Sequence, residues 1–170
     1  MKPYQRGAST LDLLIAFSFA LTLCLLLLPT VYRTLELTTK ARALKNDVAQ
    51  VVQASNIWYG KEIMRTRCLT LQHPLTIGAL MDEGLVDRQI QTLDWNIEVT
   101  SIDNDTNPLW NRPTRFVITV TVPDEGLRNA MHQALSPLSA DNSALIFDAP
   151  IHADIANTLA IMDRNTGCLE

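Results

Sequence analysis

An apolar run near the N-terminus constrains this chain more than any other feature. Between Leu11 and Leu28 the polar side chains are only those of Asp12, Ser18 and Thr22. Continued to Tyr32, the run reaches about 20 residues, which is enough for one helix to cross the hydrocarbon core of a bilayer. The sequence therefore predicts a membrane-spanning N-terminal helix followed by a polar domain of ordinary composition.

The charges beside this run indicate how it would be oriented. Lys2 and Arg6 precede it, and no acidic residue does. Positive charge before a span favours retention of that end in the cytoplasm, so we expect the polar domain outside. The net charge of the whole chain is −4, which argues against a general nucleic-acid-binding protein.

Three kinds of N-terminal segment fit the run to different degrees. A cleaved secretory signal needs small residues after the apolar core, and the segment 29–33 (PTVYR) offers none in the required arrangement. The lipoprotein form of such a secretory signal needs a small residue before Cys24, where Leu23 stands. A plain membrane anchor explains the hydrophobicity but neither the boundary at Gly7 nor the acid at Asp12. The third kind is a prepilin leader.

The segment Arg6–Asp12 (RGASTLD) resembles the class III leader junction of type IV pilins and type II secretion pseudopilins. The resemblance implies cleavage between Gly7 and Ala8, followed by methylation of the new N-terminus. Asp12 then becomes the fifth mature residue, where the family carries an acid, and Pro29 the twenty-second, where proline is common. The family usually has Phe or Met where this chain has Ala8, and Glu where it has Asp12. These departures favour a minor pilin or a pseudopilin.

The resemblance also implies an architecture and a set of partners. The expected fold is α+β and pilin-like: a leader over residues 1–7, a transmembrane and filament-core helix over 8–32, and a periplasmic globular domain over 33–170. Asp12 would serve subunit assembly and Pro29 would kink the helix. The expected partners are a prepilin peptidase, other pilin subunits and an inner-membrane assembly platform. The chain would reside in the inner membrane before entering a pilus or pseudopilus filament.

Two alternatives stay open at this point. Ser9 and Asp12 have the spacing of a helix-capping box, which would make Asp12 only a helix-start residue. The chain would also fit a single-pass inner-membrane protein whose periplasmic domain binds a ligand or partner without polymerising.

Beyond the membrane run the sequence predicts a helix and a small sheet. An apolar stripe at spacings of three and four continues the first helix to about Tyr59, where Gly60 offers a stop. We predict a short helix over 75–82 ended by Gly84, and a third helix from Glu125 to Leu135. Alternating patterns predict a hairpin of two strands over 95–100 and 114–122. After the third helix we expect a loop over 136–143, a further strand over 144–147 and a final helix over 153–162.

Three cysteines occur in the chain. Cys24 lies in the apolar run and is expected to act as a small hydrophobic residue there. Cys68 and Cys168 lie in the polar part and would form a disulfide if that part is outside the cytoplasm. Two free thiols are the alternative.

No pattern indicates catalysis, a metal or a cofactor. The three histidines stand apart, without a second ligand at helical or hairpin spacing. The sequence has no nucleophile elbow, phosphate-binding loop or dinucleotide fingerprint, so we expect no enzymatic activity. The segment 103–107 resembles half of a calcium loop, but Pro108 and Thr114 replace residues that such a loop requires, which favours a solvated turn. We expect core or interface roles for the tryptophans Trp58, Trp95 and Trp110.

Overall fold

The computed structural model describes residues 6–92, 94–103, 112–141, 143–151, 163 and 166–169, with side chains from residue 10 onward. Its first element is helix α1, Arg6–Thr66, 61 residues long and continuous through Pro29. The chain divides into two compact units, Met1–Lys40 and Ala41–Glu170. The boundary between the units falls inside helix α1. The part of α1 up to Lys40 is the described portion of the first unit, and the part from Ala41 is the first element of the second unit.

Helix α1 does not stop at Gly60, and that prediction is wrong. The helix ends at Thr66, and Arg67 follows in the left-handed region with φ 57°. Its N–H bonds to the carbonyl of Ile63 at 2.8 Å, which satisfies one carbonyl of the last turn. Glycine inside a helix costs only about 1 kcal/mol relative to alanine. The burial of Tyr59 and Glu62 on either side of Gly60 outweighs that cost.

The apolar stripe predicted for the second half of α1 is confirmed. Of its predicted members, Ala41, Leu44, Val51 and Ser55 are at most 4% exposed, whereas Leu37 and Val48 are half-buried. Ala54, Trp58 and Tyr59 are buried as well and belong to the same stripe. The buried hydroxyl of Ser55 donates to the carbonyl of Val51 at 2.7 Å, so it needs no partner outside the helix. This stripe is the side of α1 that faces the core of the second unit.

A short helix and a turn connect α1 to the sheet. Helix α2 covers Ile77–Asp82, and its N-cap Thr76 accepts a hydrogen bond from the N–H of Ala79 at 3.2 Å. Gly84 follows with φ 67°, which ends the helix as the sequence predicts. A single 3-10 turn over Arg88–Ile90 leads into the first strand.

Among the described residues, four antiparallel strands form one sheet in the order β1-β2-β4-β3. They are β1 Asn96–Asp103, β2 Pro113–Thr121, β3 Ser139–Ala140 and β4 Ala144–Pro150. The predicted β1–β2 hairpin is confirmed, with Val99 opposite Ile118. The predicted loop over 136–143 is wrong in part, because β3 lies within it. Two residues are too few to show an alternating pattern, and β3 is set by its pairing with β4, Ser139 opposite Ile146.

One face of the sheet packs on α1. Phe116, Ile118 and Val120 of β2 are fully buried, and the ring of Phe116 meets that of Tyr59 edge-on at 6.5 Å. Helix α3, Glu125–Leu135, follows β2 and is capped by Asp124, whose carboxylate accepts from the N–H of Leu127 at 2.6 Å. The α+β fold class is confirmed. The helix predicted over 153–162 lies outside the described residues.

Candidate functional site

The N-terminal part of α1 exposes a continuous apolar surface. Every side chain from Thr10 to Glu36 is exposed, and large apolar residues such as Leu13 and Leu26 are 69% and 72% exposed. Soluble monomers rarely show apolar patches of this extent, and such patches mark membrane or protein contacts. This helix is long and apolar enough to cross a membrane.

The hydroxyl groups in this segment are satisfied inside the helix. Ser18 donates to the carbonyl of Ile15 at 2.9 Å, and Thr22 donates to the carbonyl of Ser18 at 2.8 Å. These bonds remove the cost of placing both hydroxyls in hydrocarbon. Unlike these two hydroxyls, the side chain of Asp12 is a carboxylate. Its transfer from water into lipid would therefore cost free energy.

Asp12 lies exposed on α1, five residues after Gly7. Residues 6–8 already have helical backbones, so Ser9 does not stand at a helix start in the uncut chain, as a capping box would require. Gly7 and Ala8 have helical backbones, and their side chains lie outside the description. The processing role of Gly7 and Ala8 and the assembly role of Asp12 stay predictions.

Pro29 lies inside α1, and the helix is assigned on both sides of it. Its missing N–H leaves the carbonyl of Leu25 without the usual helical partner, and its ring crowds that carbonyl. Shortly after it, Thr34 donates to the carbonyl of Thr30 at 2.6 Å. The kink predicted at Pro29 stays a prediction.

The disulfide between Cys68 and Cys168 is confirmed, across a sequence separation of 100. Two backbone hydrogen bonds flank it: the N–H of Leu69 to the carbonyl of Gly167 at 2.9 Å, and the N–H of Leu169 to that of Arg67 at 2.7 Å. The C-terminal segment is therefore fixed beside the end of α1. Cys24 is a free, exposed thiol, as expected for a side chain of the apolar run.

A buried carboxylate at the end of α1 was not foreseen from the sequence. Glu62 is 1% exposed, and its oxygens accept hydrogen bonds from Arg65 and from Nδ1 of His73, the latter at 2.8 Å. Burial raises the pKa of Glu62, but the hydrogen bonds from His73 and Arg65 outweigh it and hold this pKa below its ordinary value. The sequence could have indicated the pair of Glu62 and Arg65, because they are three residues apart on one helix. It could not have indicated the pair of Glu62 and His73, because His73 lies outside that helix.

Tyr59 supports the same region from one turn earlier. Its hydroxyl donates to the carbonyl of Leu69 at 2.8 Å. Burial raises its pKa to about 12, with a lowering contribution from Arg112 and a raising one from Asp103. The phenol therefore stays a neutral donor that holds the chain leaving α1 against the helix.

An open groove of about 530 Å³ lies beside these groups. It is lined by the segment Thr70–Pro74 and, from the end of β1, by Ser101 and Asp103. No three His, Cys, Asp or Glu side chains approach closely enough to hold a metal among the residues described. The remainder of the half calcium loop considered above, residues 104–108, lies outside that description, as does Trp110.

Trp58 and Trp95 are both buried, at 3% and 5% exposure, in agreement with a core role. The indole N–H of Trp95 acts on the carboxyl of Asp47, whose pKa is raised by partial burial and lowered in part by this donor. The geometry is not that of a full hydrogen bond, since the indole nitrogen has no partner at bonding distance and angle. We therefore treat the pair as a weak contact between α1 and the start of β1.

No family model, no curated protein and no solved structure matches this chain. The structure itself shows a long N-terminal helix, apolar in its first half and packed on an antiparallel sheet in its second. This arrangement is compatible with a pilin-like fold.

Proposed function

We propose that this protein is a structural subunit, minor or initiating, of a type IV pilus or a type II secretion pseudopilus. The observation that carries the proposal is the division of a single helix into two parts. Side chains 10–36 are all exposed and largely apolar, whereas from Ala41 onward a stripe of the same helix is buried. A helix of this kind has one part that must be covered by lipid or by other helices, and one part already covered by its own domain.

The proposed mechanism is a transfer of residues 8–32 from lipid into a bundle of equivalent helices. Both environments are apolar, so the hydrophobic cost of leaving the membrane is largely recovered in the bundle. Asp12 would then meet the positive N-terminus of a neighbouring subunit, which favours the correct register. A prepilin peptidase, other pilin subunits and an inner-membrane platform would be the partners, and the chain itself would catalyse no reaction.

Processing after Gly7 tests the proposal. Intact-mass measurement on protein extracted from membranes of a host with the peptidase should give a chain beginning at Ala8. Removal of Lys2 and Arg6 shifts the formal net charge from −4 to −6, which isoelectric focusing would register. A chain that still begins at Met1 would favour the non-polymerising membrane protein instead.

Two variants sharpen this test. Gly7→Val should abolish cleavage, because the peptidase is expected to need the small residue before the cut. Ala8→Phe places the residue usual in the family after the cut and should be processed like wild type. Equal processing of all three chains would show that the cleavage is unrelated to the proposed junction.

A further inference from the structure

We draw no further inference here: the strongest candidate, the open groove lined by Thr70–Pro74, Ser101 and Asp103, carries nothing, because nothing in the part of the chain that the structure describes shows what would fill it.

Discussion

Nδ1 of His73 donates a hydrogen bond over 2.8 Å to a carboxylate oxygen of Glu62 that is almost completely removed from solvent. His73 itself is exposed, with 62% of its side-chain surface accessible. The buried charge of Glu62 is thus stabilised by two partners, His73 and Arg65, that reach it from the surface. Breaking one side of such a buried pair is more costly than losing an exposed ion pair.

Glu62→Gln should lower the free energy of unfolding by about 1–3 kcal/mol at neutral pH, since the charge-assisted bonds are lost. The pKa of Glu62 is lower in the folded protein than in the unfolded chain. The ionised carboxylate therefore contributes fully to the free energy of unfolding above the pKa of the unfolded chain. That contribution is lost as the pH falls through the folded-state pKa. The difference between wild type and Glu62→Gln in urea unfolding should therefore shrink below about pH 4. Glu83→Gln, which removes the more exposed pair with Lys61, is the control and should cost less than about 1 kcal/mol. If the difference in unfolding free energy between wild type and Glu62→Gln did not change with pH, the stabilising role of the ionised Glu62 carboxylate would be contradicted.

Replacement of glycine by alanine should change the stability of the protein in opposite directions at two positions. A Cβ at Gly60 or at Gly84 would meet no atom within 4 Å, so sterics do not distinguish them. Gly60 lies inside α1, and Gly60→Ala should stabilise the protein by about 0.5–1 kcal/mol. Gly84 has φ 67°, and Gly84→Ala should destabilise it by about 1 kcal/mol. Thermal unfolding of both variants checks this, and equal shifts would contradict the placement of Gly60 within the helix.

The disulfide gives a simple thiol count. Denatured but unreduced protein should carry one alkylatable thiol, that of Cys24, and reduced protein three. The double variant Cys68→Ser with Cys168→Ser should lose up to about 4–5 kcal/mol, because the bridge closes a loop of about 100 residues in the unfolded chain. Cys24→Ser is the matched control and should unfold like wild type. Three thiols before reduction would refute the bridge in cells.

Asp12→Ala should leave membrane insertion and cleavage after Gly7 intact but lower the amount of protein recovered in filaments. The physical reason is that a carboxylate at the edge of hydrocarbon costs a few kcal/mol unless a cation approaches it. Asp12→Glu should be tolerated, because it keeps the charge. The measurement compares processed, membrane-resident and filament-associated protein for both variants. Incorporation of Asp12→Ala at the wild-type level would remove the assembly role.

Periodicity found most of the elements, because each depends on its own residues. The stripe of α1 from Ala41 to Tyr59, the β1–β2 hairpin and helix α3 all repeat an apolar residue at the spacing of their structure. The stop at Gly60 failed because local propensity is worth about 1 kcal/mol and the packing of Tyr59 and Glu62 exceeds it. Strand β3 was missed because two residues hold no pattern.

The sequence by itself determined that residues 11–32 are apolar enough to span a membrane, that an α+β domain follows, and that Cys68 and Cys168 could pair. These features depend on composition and short-range spacing. Only the tertiary structure decided that Glu62 meets His73, that Gln91 bonds to the backbone of Ile97, and that Thr70–Pro74 and Ser101 line one groove. Each of these contacts joins residues on different elements, and their distance in space depends on how α1 and the sheet pack rather than on any interval along the chain.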